Sequence, residues 1–132
     1  MSKASDFLSG LARNKDWEII LPCDDKERTS MASKIVGALL LRCLNEEISY
    51  MLNAIRQPPH GKFSDEQETF LEEVFIGSLK RCFFNTFEKF DEFSVRILLD
   101  EIDIANFDLH ALFYKWVSEF GEHEDKGFYW VQ

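Results

Sequence analysis

The chain has 132 residues, 45% hydrophobic and 30% charged, with a formal net charge of −9. A chain of that length fits one compact helical domain over 1–132 and can bury enough surface to fold without a metal or a disulfide. The acidity lies in one half: Met1 to Arg56 holds eight basic and eight acidic residues, whereas Gln57 to Gln132 holds seven basic and sixteen acidic. This argues against direct nucleic-acid binding, which relies on Lys and Arg to neutralise phosphates, and suits attraction to a basic protein.

The opening segment "MSKASDFLSGLARNKDW" has no apolar run long enough for a signal peptide or a membrane span, so a cytoplasmic setting without membrane contact is expected. Ser5 to Asn14 can form a short helix with Phe7, Leu8 and Leu11 on one side. "DWEIILP" reads as extended, because Trp17, Ile19 and Leu21 alternate with Glu18 and Ile20 before Pro22. A long helix is predicted from about Ser30 to Arg56, with Ala32, Ile35, Val36, Leu39, Leu40, Cys43, Leu44, Ile48, Met51 and Ile55 recurring at steps of three and four. Glu47 falls inside that apolar arc, where a carboxylate needs a partner, and Arg81 or Arg96 is the expected one.

"QPPHGKF" makes the next turn. "SDEQ" at Ser64 to Gln67 has the form of a capping box, with Asp65, Glu66 and Glu68 complementing the dipole of a second helix. That helix should run through Leu71, Phe75, Leu79 and Phe83 to about Phe87. Phe84, Phe87, Phe90 and Phe93 then fall every third residue, a step that loses about 60° per repeat on an α-helix. A break between Glu88 and Asp91 would resolve this. "FSVRILLDEIDI" reads best as a short buried helix, although Val95, Ile97 and Leu99 also permit a strand. Asn106 can cap a last helix whose stripe is Leu109, Leu112, Phe113, Trp116 and Phe120, with Gly121 as its stop. "GFYWVQ" is strand-like and could pair 127–131 with 17–21. The expected architecture is therefore mainly α, a compact bundle of four to five helices.

Motifs that carry chemistry are missing: there is no P-loop, no G-x-G-x-x-G, no G-x-S-x-G and no H-E-x-x-H. Cys23, Cys43 and Cys82 are odd in number and form no C-x-x-C, which argues against a zinc site; Cys43 and Cys82 read as core residues. Glu122, His123, Glu124 and Asp125 form a solvated link rather than a metal site. Arg56 and His60 are similar to the Arg-and-His pairs of some helical ribonucleases, but their spacing is short and prolines interrupt it. No catalytic, metal or cofactor-binding residue is assigned, and a non-enzymatic protein is expected.

Aromatic and acidic residues interleave from Phe83 onward, and Glu88, Phe90, Asp91, Glu92, Phe93, Asp100, Glu101 and Asp103 are the expected partner-binding residues. Rings supply buried area and carboxylates supply orientation. The profile is similar in kind to bacterial immunity proteins, antitoxins and phage-encoded inhibitors, a likeness of composition. It implies an inhibitor that masks a basic surface, such as that of a nuclease or a nucleic-acid-binding complex. The alternative is a helical homodimer, a regulatory or scaffold subunit whose aromatic excess serves self-association.

Overall fold

The computed structural model describes residues 2–57, 62–104 and 108–121. Among them the elements in chain order are α1 (Lys3–Ser9), α2 (Asp25–Ile55), α3 (Asp65–Glu92), β1 (Leu98–Leu99), β2 (Ile102–Asp103) and α4 (Leu109–Phe120). The fold is the mainly helical bundle expected from the sequence. The core is a single cluster to which α1 gives Ala4, α2 gives Ala32, Ala38, Leu41, Leu44 and Ile48, α3 gives Ile76 and Phe87, and α4 gives Leu109, Phe113, Trp116, Val117 and Phe120.

Helix α2 starts five residues before the predicted position, because Asp24 is its N-cap and accepts from the Glu27 N–H at 3.0 Å. Its buried face runs through Ala32, Ile35, Ala38, Leu41, Leu44, Asn45 and Ile48. Apolar residues also cover much of the opposite side, which is why the sequence misplaced the centre of the stripe. Glu47 and Cys43 lie on that outer side, exposed, so the expected buried bridge from Glu47 does not form. Arg96 instead pairs with Asp103. Asn45 is the polar residue that α2 buries, and its Nδ2 donates to the Phe120 carbonyl at 3.3 Å, closing the C-terminal end of α4.

Helix α3 begins with the predicted capping box: Ser64 Oγ accepts from the Gln67 N–H, and Gln67 Oε1 accepts from the Ser64 N–H. It does not break between Glu88 and Asp91 but continues to Glu92. The series of every third phenylalanine mixes two groups. Phe83, Phe87 and Phe90, at steps of four and three, stay on one side, with Phe84 at its edge; Phe93 is the C-cap and lies outside the helical repeat. Cys82 is exposed, correcting its assignment to the core, while Ile76, Gly77, Lys80 and Phe87 are buried.

These rings make the seam with α4. Phe83 stacks on Phe113 with centroids 5.9 Å apart, Phe87 meets Phe113 at 5.6 Å and Trp116 edge-on at 6.0 Å, and Phe84 meets Tyr114 at 5.1 Å. Such pairs add about 0.5–1.5 kcal/mol each beyond their buried area. The α2 side of α4 is held closer still, with Gly37 against the Trp116 indole. Lys34 on α2 pairs with Glu119 on α4 at 3.0 Å.

The segment favoured as a buried helix over 94–104 is a β-hairpin, in which Leu98 pairs with Asp103 and Leu99 with Ile102 in antiparallel register. The Ile104 N–H donates to the Ile97 carbonyl at 3.2 Å and carries the pairing one step further. Alternation then decides burial. Ile97, Leu99 and Ile102 pack against the core with Ile104 buried, whereas Leu98 faces outward. Residues 17–21 contribute one isolated bridge, Arg13 with Ile19, rather than a strand. The proposed partner strand 127–131, the 122–125 link, the Asn106 cap and His60 lie outside the described residues. Among the described residues no helix is long and apolar enough to cross a membrane.

Candidate functional site: a strained acidic hairpin

The hairpin is launched by the end of α3. Val95 N–H donates to the Phe90 carbonyl at 2.8 Å and Ser94 N–H to the Asp91 carbonyl at 3.4 Å, a Schellman closure. That motif wants glycine at its left-handed position, yet Ser94 occupies it with φ 61°. The hairpin turn repeats the anomaly. Asp100 and Glu101 are its two central residues, with φ of 49° and 68°. Positive φ at both positions marks a type I′ turn, which prefers Asn-Gly.

A third strained element lies beside it. Asn14 Oδ1 accepts from the N–H groups of Asp16 at 2.8 Å and Glu18 at 3.1 Å, curling 14–18 into a tight turn. Arg13 donates to the Trp17 carbonyl at 2.7 Å, and Trp17 is held at φ 64° with its side chain 77% exposed. This turn and the hairpin meet: Arg13, Glu18, Ile19 and Leu21 share a shallow cavity of about 290 Å³ with Leu99 and Asp100. All four non-glycine residues with positive φ among the described residues, Trp17, Ser94, Asp100 and Glu101, belong to these two adjoining segments. Left-handed backbone costs a side-chain-bearing residue about 1–2 kcal/mol, and strain of this kind collects at functional sites.

The same region exposes apolar side chains. Phe93 is 72% exposed and Leu98 58%, with Val95 also exposed. Of the eight residues expected at a partner surface, Phe93, Asp100 and Glu101 are exposed in this region, and Glu88 and Glu92 are exposed on α3, where Lys89 reaches Glu92 at 3.8 Å. Asp103 is paired with Arg96. Phe90 and Asp91 turn inward. Phe90 packs edge-on against Phe87, and Asp91 is spent on the start of α4. Trp17, Val95 and Leu98 were not singled out as site residues; a tryptophan inside the polar run "NKDWE" was the available signal for the first of them.

Asp91, Asp108 and His110 also bring potential ligand atoms within 4.8 Å of one another. Their chemistry is already used. Asp91 Oδ1 accepts from the Leu109 N–H at 2.9 Å, and Oδ2 accepts from the His110 N–H at 3.0 Å and meets His110 Nδ1. Burial pushes the Asp91 carboxyl up, but hydrogen bonds from the His110 ring and from the two N–H groups outweigh it and hold the group below the usual carboxylate range. The trio is a helix cap.

Comparison with protein-family models, with curated proteins and with solved structures finds no match.

Relieving the turn supplies a direct check on strain. The double change Asp100→Asn with Glu101→Gly introduces the pair that type I′ turns prefer and should raise the free energy of unfolding by about 1–2 kcal/mol. Urea denaturation reads this; an unchanged or lowered midpoint means that the turn carries no strain.

Proposed function

We propose that this chain is a non-enzymatic protein-binding module of the inhibitor or immunity type. Its hairpin end docks on a basic surface of another protein, such as the nucleic-acid-handling face of a nuclease. The observation that carries the reading is the concentration of left-handed non-glycine residues where Trp17, Phe93 and Leu98 are exposed beside Asp100 and Glu101. Strained turns that display carboxylates among exposed rings combine rigid anchors with charge that steers a cationic partner.

Capture from the source cell with the native chain and with Asp100→Lys/Glu101→Lys tests it. A partner should be retained by the native chain, released as salt is raised, and lost from the charge-reversed chain, since exposed charge pairs are screened within about 10 Å at 0.1 M salt. Identical retention by both chains, at low and high salt, overturns the reading.

A homodimeric regulatory subunit is the second reading. It is favoured by a stripe of exposed Leu39, Cys43 and Tyr50 on the outer side of α2. Light scattering separates the two: a dimer that Leu39→Lys dissociates supports self-association, and a monomer leaves the hairpin reading alone.

A further inference from the structure

A cavity of about 680 Å³ lies between the first turns of α2 and the body of α4, away from the residues that form the hairpin tip. Its size falls within the roughly 300–1,000 Å³ of small-molecule sites. Ile104, Leu112 and Trp116 give it apolar lining, while Lys26, Lys34 and Lys115 bring ammonium groups and Glu119 the carboxylate. The lining therefore carries a formal charge of +2, three lysines against one glutamate, in a chain of net charge −9.

That charge is not neutralised locally. Lys34 is satisfied: it pairs with Glu119 at 3.0 Å and stands over the Phe7 ring. Lys26 and Lys115 have no ion pair among the described residues. Hydroxyl groups lie along the same wall. Thr29 donates to the Asp25 carbonyl at 2.9 Å, which leaves Ser30 and Ser33 as the hydroxyl donors of the lining. Two uncompensated ammoniums and two hydroxyls suit a compact dianion, for which lysine acts as a point charge. The apolar side suits a hydrocarbon or aromatic body.

We propose that this cavity binds a small organic dianion, a phosphate monoester with an apolar body, with Lys26 and Lys115 on the phosphate and Leu112 and Trp116 against the body. The site is independent of the hairpin surface and of its partner.

Calorimetric titration of the full chain with 1-naphthyl phosphate tests it, with 1-naphthol and inorganic phosphate as the two halves. The phosphate ester should bind once per chain and about tenfold more tightly than either half. Lys26→Glu with Lys115→Glu should weaken it about tenfold, since each replaces an attraction by a repulsion at the rim. Lys62→Glu, at an exposed position outside the lining, should leave affinity unchanged, and circular dichroism should show all variants folded. Equal affinity for 1-naphthol and the ester, full affinity in the Lys26/Lys115 double variant, or no binding at millimolar ester overturns the proposal.

Discussion

Replacing Gly37 by alanine should destabilise the protein by about 2–3 kcal/mol, although alanine is the better helix former by about 1 kcal/mol. A Cβ at that position would lie 2.3 Å from Trp116 Cδ1, 2.4 Å from Cγ and 2.5 Å from Nε1. Those are atoms of a rigid ring, and the ring has little room to move. Trp116 is 1% exposed, with the Phe87 ring edge-on at 6.0 Å on the α3 side. Either α4 withdraws from α2, opening space around Phe113 and Val117, or the indole leaves its rotamer. Chemical denaturation measures the loss. Gly10→Ala is the control, because there the added methyl would meet only backbone oxygens at 3.6 Å, an ordinary contact.

A double-mutant cycle identifies the cause. Trp116→Leu alone should cost about 3 kcal/mol through the void it leaves. In its presence Gly37→Ala should become neutral or favourable, giving a coupling of about 2 kcal/mol, within the range of residues in direct contact. Additive losses would mean that Gly37 acts through something other than the indole.

The features legible in the sequence are those whose cause is local. Ser64 and Gln67 sit three positions apart and satisfy each other, so the start of α3 needed no tertiary information. The stripe of Leu109, Phe113, Trp116 and Phe120 on α4 is legible because its apolar residues occupy one narrow side. Helix α2 shows the opposite case. Leu39, Leu40 and Leu41 are consecutive and point three ways, and only Leu41 is fully buried. The packing of Gly37 on Trp116 chooses among them, and no periodicity contains that choice.

The hairpin was missed for a related reason. A two-residue turn advertises itself through Asn or Gly, and this one uses Asp100 and Glu101 in spite of their side chains. Without the turn signal, Ile97, Leu98 and Leu99 resemble any buried run. The site residues divide along the same line. Phe93, Asp100 and Glu101 could be found from composition alone, because an exposed ring and exposed acids look alike in any fold. Asp91 could not be placed, because its partners lie 18 and 19 residues downstream.

Asp91→Ala should cost about 2–3 kcal/mol, more than any other single carboxylate change proposed for this chain. The native side chain is 10% exposed and accepts two main-chain hydrogen bonds at the start of α4 as well as one from the His110 ring. Leu109 is buried, so truncation leaves its N–H without an acceptor in a place water does not replace. The residue that precedes the helix cannot compensate: Asp108, at the N-cap position, makes no side-chain capping bond, and Asp108→Ala should change stability by less than about 0.5 kcal/mol. Asp91→Asn keeps an acceptor but loses the charge that favours a helix N-terminus, so it should fall between the two.

The pH dependence separates a charged cap from mere packing. The Asp91 carboxyl titrates lower in the folded protein than in the unfolded chain, where its value is about 3.9. Its contribution is therefore complete above that value and is lost as pH falls through the lower folded value. The native protein should lose stability on acidification more steeply than Asp91→Asn, whose position does not titrate, and the two curves should converge at the acid end. Parallel curves would mean that the carboxylate form is not what holds α4. Because Asp91 lies at the end of α3, immediately before Phe93 and Ser94, the same cap fixes the direction in which the chain leaves for the hairpin. Amide exchange at Leu109 and His110 should accelerate together with that at Ile104 in Asp91→Ala, whereas Asp108→Ala should leave all three protected.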